Sequence, residues 1–160
     1  MDNMTPATPN GSVQVGDLAP NFNLPSQTGE QVNLDSFRGN WTVVYFYPSD
    51  DTPGCTKEAC SFRDSFEDFT DVGAVVLGIS KDSVESHAEF AAKYRLPFTL
   101  LADEGAKVAA AWGVGKSLGI IPGRITYVID PKGVVRMKFS SQMRATKHKD
   151  EALATIRSGA

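Results

Sequence analysis

The chain has two cysteines, Cys55 and Cys60, and both lie in the run Pro48-Ser-Asp-Asp-Thr-Pro-Gly-Cys-Thr-Lys-Glu-Ala-Cys60. Two thiols this close in sequence are no disulfide scaffold for a domain of this size and point to thiol redox chemistry. Upstream, Trp41-Thr-Val-Val-Tyr-Phe-Tyr47 has the β-branched and aromatic content of a buried strand. Pro48 and Thr52-Pro53-Gly54 break it, and Ala59, Phe62, Phe66 and Phe69 then recur at helical spacing. The spacing predicts a helix with Cys55 in its first turn, where unpaired N–H groups and the positive end of the helix dipole favour a thiolate.

Helical phase separates the two thiols. Cys55 falls on the stripe of Ala59, Phe62, Phe66 and Phe69, whereas Cys60 is rotated by roughly 140° onto the face of Asp64, Glu67 and Asp68. Five helical residues put the two Cα atoms roughly 8.6 Å apart, beyond the limit of about 7 Å for a disulfide. A bond between them therefore requires the first turns to unwind, and the segment is a candidate redox switch. Free cysteines are commonly inert, buried, small hydrophobes. A helix N-terminus and a polar helical face are not where such a residue belongs.

Pro48-x-x-x-Thr52-x-x-Cys55 resembles the Pro-x-x-x-Thr/Ser-x-x-Cys signature of the peroxiredoxins. Cys60, five residues on, is similar to the subgroup called peroxiredoxin Q or bacterioferritin comigratory protein, and the run from Tyr45 to Asp64 resembles it almost residue for residue. Likeness continues through Leu96 to Asp103, Pro122 to Asp130 and Lys147-His148, so that it spans roughly Val15 to Ile156. The resemblance implies a thioredoxin-like fold and a thiol peroxidase acting on hydrogen peroxide and organic hydroperoxides. It implies Cys55 as peroxidatic cysteine, Cys60 as resolving cysteine, an intramolecular disulfide between them, and thioredoxin or a similar dithiol as reductant. Pro48, Thr52 and Arg124 fall on the family's other active-site positions. No metal, haem or flavin cofactor is implied.

The chemistry gives those residue types a role. Peroxide reduction needs a thiolate, an aligned O–O bond and donors for the charge that builds on the leaving oxygen. The Thr52 hydroxyl is expected to bond both sulfur and peroxide, the Arg124 fork to reach the oxygens, and Pro48 to shield the thiolate. By spacing alone Arg124 is a surface arginine at a strand end, and Thr52 a helix cap; the resemblance decides the first, and the second is compatible with catalysis. Glu58, one turn after Cys55, is read as an exposed helical glutamate at least as readily as a partner for an active-site arginine. His87 and His148 fit no zinc-ligand spacing with the cysteines and are read as structural. Phe62, Phe66 and Phe69 are read as core.

A disulfide reductase on the same fold is the rival enzyme, but that chemistry employs Cys-x-x-Cys and here four residues intervene. A redox-sensing or chaperone-like binding module is the non-enzymatic rival. Steady-state peroxide consumption with a dithiol donor separates the three.

The elements that must position these groups follow from pattern. The chain has 160 residues, 41% of them hydrophobic, which fits one domain. Residues 1–12 read as a mobile tail and 13–160 as the domain. A net charge of −3 with mixed signs offers no field for nucleic acid and no polybasic anchor for a membrane. Neither a membrane span nor a signal peptide is read, and the expectation is a monomer in a bacterial or cyanobacterial cytoplasm, or a mature plastid protein without its transit peptide. Phe22 to Leu24 and Gln31 to Leu34 predict an N-terminal β-hairpin. Ala74 to Ile79 predicts a second buried strand, forming a βαβ unit with the first. Helices are predicted from Ser83 to Pro97 and over Lys107 to Trp112, with a short extended stretch, Phe98 to Leu101, between them. Gly113 to Gly123 reads as a glycine-rich connection. Arg124 to Ile129 and Val134 to Phe139 predict a hairpin around Asp130-Pro-Lys-Gly133, and Lys147 to Arg157 a last helix. The order suits an α/β, thioredoxin-like fold with a central mixed sheet and helices on both faces.

Overall fold

The apolar run Trp41–Phe46 is the middle strand of a five-stranded sheet, with residues 42–46 buried whichever face they point to. A computed structural model describes residues 13–114, 124–141 and 144–159. The expected tail lies outside the described residues, as does most of the glycine-rich connection. In chain order the elements are β1 (Asn23–Pro25), β2 (Gln31–Asn33), a 3-10 turn (Leu34–Phe37), β3 (Trp41–Phe46), α1 (Pro53–Asp64), α2 (Phe66–Asp71), β4 (Ala74–Ser80), α3 (Val84–Tyr94), β5 (Thr99–Ala102), α4 (Lys107–Trp112), β6 (Ile125–Ile129), β7 (Val135–Ser140) and α5 (Lys147–Arg157). The main sheet runs β5-β4-β3-β6-β7, with β3 parallel to β4 and antiparallel to β6, and β1 and β2 form the separate hairpin. This is the mixed sheet the element order predicts.

Side-chain alternation along the strands divides the core in two. On one face Val43, Tyr45, Val76, Leu100 and Val128 pack under Cys55, Ala59 and Phe62 of α1, Phe69 of α2, Phe90 of α3 and Leu153 and Ile156 of α5. On the other, Val44, Phe46, Leu77, Ile79 and Tyr127 meet Trp112 of α4 together with Phe22, Leu24 and Leu34 from the hairpin and its turn. Helices thus lie on both faces but unequally, because the hairpin closes most of the second. None of the described helices is long and apolar enough to cross a membrane.

One expectation is corrected. The stripe through Phe62, Phe66 and Phe69 is carried by two helices, broken at Ser65 (φ −108°, ψ 11°). Residues seven apart in a straight helix are separated by roughly 10.5 Å along its axis. The break lets Phe69 fold back on Phe62, with ring centroids 5.6 Å apart and both side chains fully buried.

Candidate active site

Cys55 sits at the third residue of α1, 1% exposed, over the face of the sheet that carries Tyr45. The first bond of the helix runs from Thr56 N to Thr52 O at 2.8 Å. Pro53 has no N–H, so the N–H groups of Gly54 and Cys55 form the open end of the helix beside the sulfur. Phe62, two turns on, stacks on Tyr45 at 4.7 Å and fixes the rotation of α1 that turns Cys55 inward. Cys60 is half-buried in the same unbroken helix, and both thiols are free.

Arg124, just before β6, brings its Nη1 to 3.5 Å from Cys55 Sγ and to 2.7 Å from Glu58 Oε1. Its side chain is 5% exposed and that of Glu58 0%. Glu58 is therefore no surface glutamate: it shares a buried face of α1 with Cys55 and accepts a hydrogen bond from the Arg124 guanidinium beneath it. Burial pushes the Glu58 carboxyl up to about 8 in spite of the Arg124 charge, which pulls it down. Beyond it lies His148 of α5, fully buried, with Nδ1 3.4 Å from Glu58 Oε2 and 2.7 Å from Thr126 Oγ1. His148 Nε2 is 2.9 Å from the Ser141 carbonyl, which can only accept, so Nε2 carries a hydrogen. Burial holds this imidazole below the usual histidine range.

The loop between β3 and α1 is tied to α3. Asp50 accepts from the Tyr47 hydroxyl (2.6 Å), Ser86 Oγ (2.8 Å) and His87 Nδ1 (2.7 Å), and its N–H donates to Asp82 (2.8 Å). Asp51, in the left-handed region at φ 60°, accepts from Lys93 and from the Tyr94 hydroxyl, each at 2.8 Å. Thr52, expected to bond the sulfur or cap the helix, instead donates to Ser49 O at 3.0 Å and makes no cap bond. The donor is taken by the loop's own turn, while the hydroxyl lone pairs stay available as acceptors. Pro48 is half-buried where β3 gives way to this loop.

Residues 15–138 match the AhpC/TSA family. The chloroplastic peroxiredoxin Q of Oryza sativa subsp. japonica is 54% identical over 149 residues, 92% of this chain and 69% of that protein. The chain belongs to the AhpC/TSA family, among the peroxiredoxins Q. Its fold is that of solved peroxiredoxins. Peroxidoxin BcpB from Mycobacterium tuberculosis superposes with a TM-score of 0.84 at 41% identity, covering 91% of this chain and 97% of that one. The bacterioferritin comigratory protein of Xanthomonas campestris, whose alkyl peroxide reduction activity has been described through trapped intermediate and ligand complexes, gives 0.79 at 33% identity over 86% of this chain and 91% of that one. The protein is accordingly a thiol peroxidase, an oxidoreductase of thioredoxin-like fold.

Spacing singles out Cys55 and Cys60, and the family resemblance adds Arg124, Thr52 and Pro48; the structure brings Arg124 to Cys55 and sets Pro48 and Thr52 on the loop ahead of its helix. Sequence reading misses Glu58 and His148 as members of this peroxiredoxin's site. Glu58 is three residues after Cys55, on its own helical face, and that phase was the available signal. His148 had none, because it reaches the site only through the packing of α5 against β6. His87 is structural as read: its two nitrogens meet Asp50 and the Leu101 carbonyl. Among the described residues His87 groups with Asp50 and Asp82, and neither histidine groups with a cysteine in a possible ligand set.

Proposed function

We propose that Cys55 is the peroxidatic cysteine of this peroxiredoxin, Cys60 its resolving cysteine, and Arg124 the donor that stabilises the reacting oxygens. The observation that carries this is the contact of Arg124 Nη1 with both Cys55 Sγ and Glu58. A guanidinium held by a buried carboxyl group is already oriented before peroxide arrives. The Cys55 thiolate attacks one peroxide oxygen and the O–O bond breaks. Sulfur becomes a sulfenic acid, and the second oxygen leaves as hydroxide or alkoxide and takes up a proton. Arg124 Nε, buried and without a partner among the described residues, is donor capacity left for those oxygens. The Thr52 lone pairs are acceptors for the hydroperoxide hydrogen, and Pro48 limits water at the thiolate.

The Cys60 thiolate then attacks the sulfenic sulfur, a disulfide forms and water leaves; a dithiol of the thioredoxin type reduces the bond by exchange. Hydrogen peroxide and organic hydroperoxides are the proposed substrates, the latter supported by the alkyl peroxide reduction described for the Xanthomonas campestris protein. We further assign the protein to a reducing compartment, a bacterial-type cytoplasm or, as for its chloroplastic relatives, the plastid. It acts there as a monomer, without membrane or nucleic acid.

Steady-state peroxide consumption with thioredoxin tests this. Cys55→Ser is expected to lose all turnover, because a hydroxyl is neither ionised near neutral pH nor a soft nucleophile. Cys60→Ser should form the sulfenic acid at the normal rate in one turnover and then stall. Wild-type turnover in the Cys55 variant would end the proposal.

A further inference from the structure

Glu58 and His148 are both fully buried, and Glu58 Oε2 has no hydrogen-bond partner among the described residues although it lies 3.4 Å from His148 Nδ1. A buried carboxylate oxygen with no donor is costly, and a proton held between it and His148 Nδ1, which otherwise accepts from the Thr126 hydroxyl, removes the cost. Because Nε2 of His148 is committed to the Ser141 carbonyl, Nδ1 is the atom that exchanges with Glu58, with Thr126 as its other neighbour.

We propose that His148 is a positioning residue of the peroxidase site: it shares one proton with Glu58, and that proton decides whether Arg124 is neutralised by Glu58 or stays charged toward the Cys55 sulfur and the reacting oxygens. The proposal rests on Cys55 as the peroxidatic cysteine. With thiolate, guanidinium and the protonated pair, the buried charges cancel. When the pair loses its proton, the site carries a net negative charge, and the leaving oxygen gains its own negative charge beside a neutralised arginine. Among the described residues, the titratable and charged groups around the pair are Cys55 on the same helix, Arg124 ahead of β6 and Tyr45 on β3. Burial first, and the Glu58 charge next, keep the Tyr45 hydroxyl protonated, so it does not compete for the proton. The upward displacement of Glu58 and the downward displacement of His148 agree with a proton that stays on the carboxyl side near neutral pH.

The sign of the effect of removing His148 is fixed whichever of the two atoms holds the proton. Two bases that share a proton bind it more tightly than either does alone, so without His148 it leaves at lower pH. Reduced wild-type protein, Glu58→Gln and His148→Gln would be oxidised by hydrogen peroxide in single turnovers from about pH 5 to 10, with Cys55 oxidation read by rapid quench and mass. The wild-type rate constant is expected to fall roughly fivefold or more above about pH 8, beyond the rise that thiol ionisation produces. Glu58→Gln should lack this alkaline fall, and in His148→Gln it should begin about one pH unit lower.

A wild-type profile flat to about pH 10, or a His148→Gln fall superimposable on the wild type, would overturn the inference and leave the peroxidase assignment standing. Failure of Cys55 to be oxidised in the wild type would overturn both. Should His148→Gln not fold, nitrogen NMR of the His148 ring in the wild type and in Glu58→Gln answers instead. The Nδ1 resonance is expected to move as the shared proton leaves in the first and to stay still in the second. An Nδ1 shift that is the same in both across that range overturns the proposal.

Discussion

Arg124 touches an anion-forming sulfur and a carboxyl at once, 3.5 Å and 2.7 Å away, and its position is crowded from the other side. A Cβ on Gly54 would come within 2.7 Å of Arg124 Nη2. Gly54→Ala should therefore leave the helix as stable or slightly more so, since alanine is favoured over glycine by up to about 1 kcal/mol in a helix. The guanidinium must move, and the peroxide rate constant is expected to drop roughly 10- to 100-fold. An unaltered rate with an unaltered melting temperature would show that the arginine has slack.

Glu58 makes a second residue-scale prediction. Its folded pKa of about 8 lies above the ordinary carboxyl value of 4.5, so the stability it contributes is present in acid and is lost as pH rises through that window. Glu58→Gln does not titrate, and its stability relative to wild type should rise between about pH 5 and 8, by roughly 3–5 kcal/mol at the limit. Parallel stability curves from denaturant titrations would contradict the buried, displaced carboxyl.

At the scale of elements, α1 does two jobs that conflict. As a helix it aims Cys55 at Arg124 and holds Cys60 out of disulfide reach; to form the disulfide it must unwind between them. Glu58 and Ala59 in that stretch are buried, so unwinding withdraws Glu58 from Arg124 and His148. The change stays local because Phe62 and Phe69 are fully buried beyond Cys60, and because Asp50 and Asp51 tie the preceding loop to α3. Amide hydrogen exchange should lose protection from Gly54 to Ser61 on oxidation and keep it from Phe66 onward. Equal protection in both forms, with the disulfide verified by mass, would mean that α1 is not the switch.

For the whole molecule, the sheet order places β3 and β6 side by side, which is why the loop after one and the residue before the other converge: Phe46 pairs with Ile125, next to Arg124. Residues 69 apart in sequence meet by that register alone. The monomer proposed for solution predicts a light-scattering mass near 17.2 kDa; twice that value would overturn it.

Much of this was determined by local pattern. Strand and helix identity, the turn at Gly113, the α4 and α5 ranges and the orientation of Cys55 against Cys60 follow from hydrophobic period, glycine and phase, which act over a few residues. The motif around Cys55 carried the chemistry because it lies in one continuous loop and helix. Tertiary structure alone decided the break at Ser65, which depends on where Phe69 finds Phe62, and the fate of the Thr52 hydroxyl, which its own turn consumes. It also decided that Glu58 and His148 share a buried site. Whether a glutamate on a helix is solvated or enclosed depends on what packs over it, and here that is α5, whose position against β6 and β7 no local period encodes.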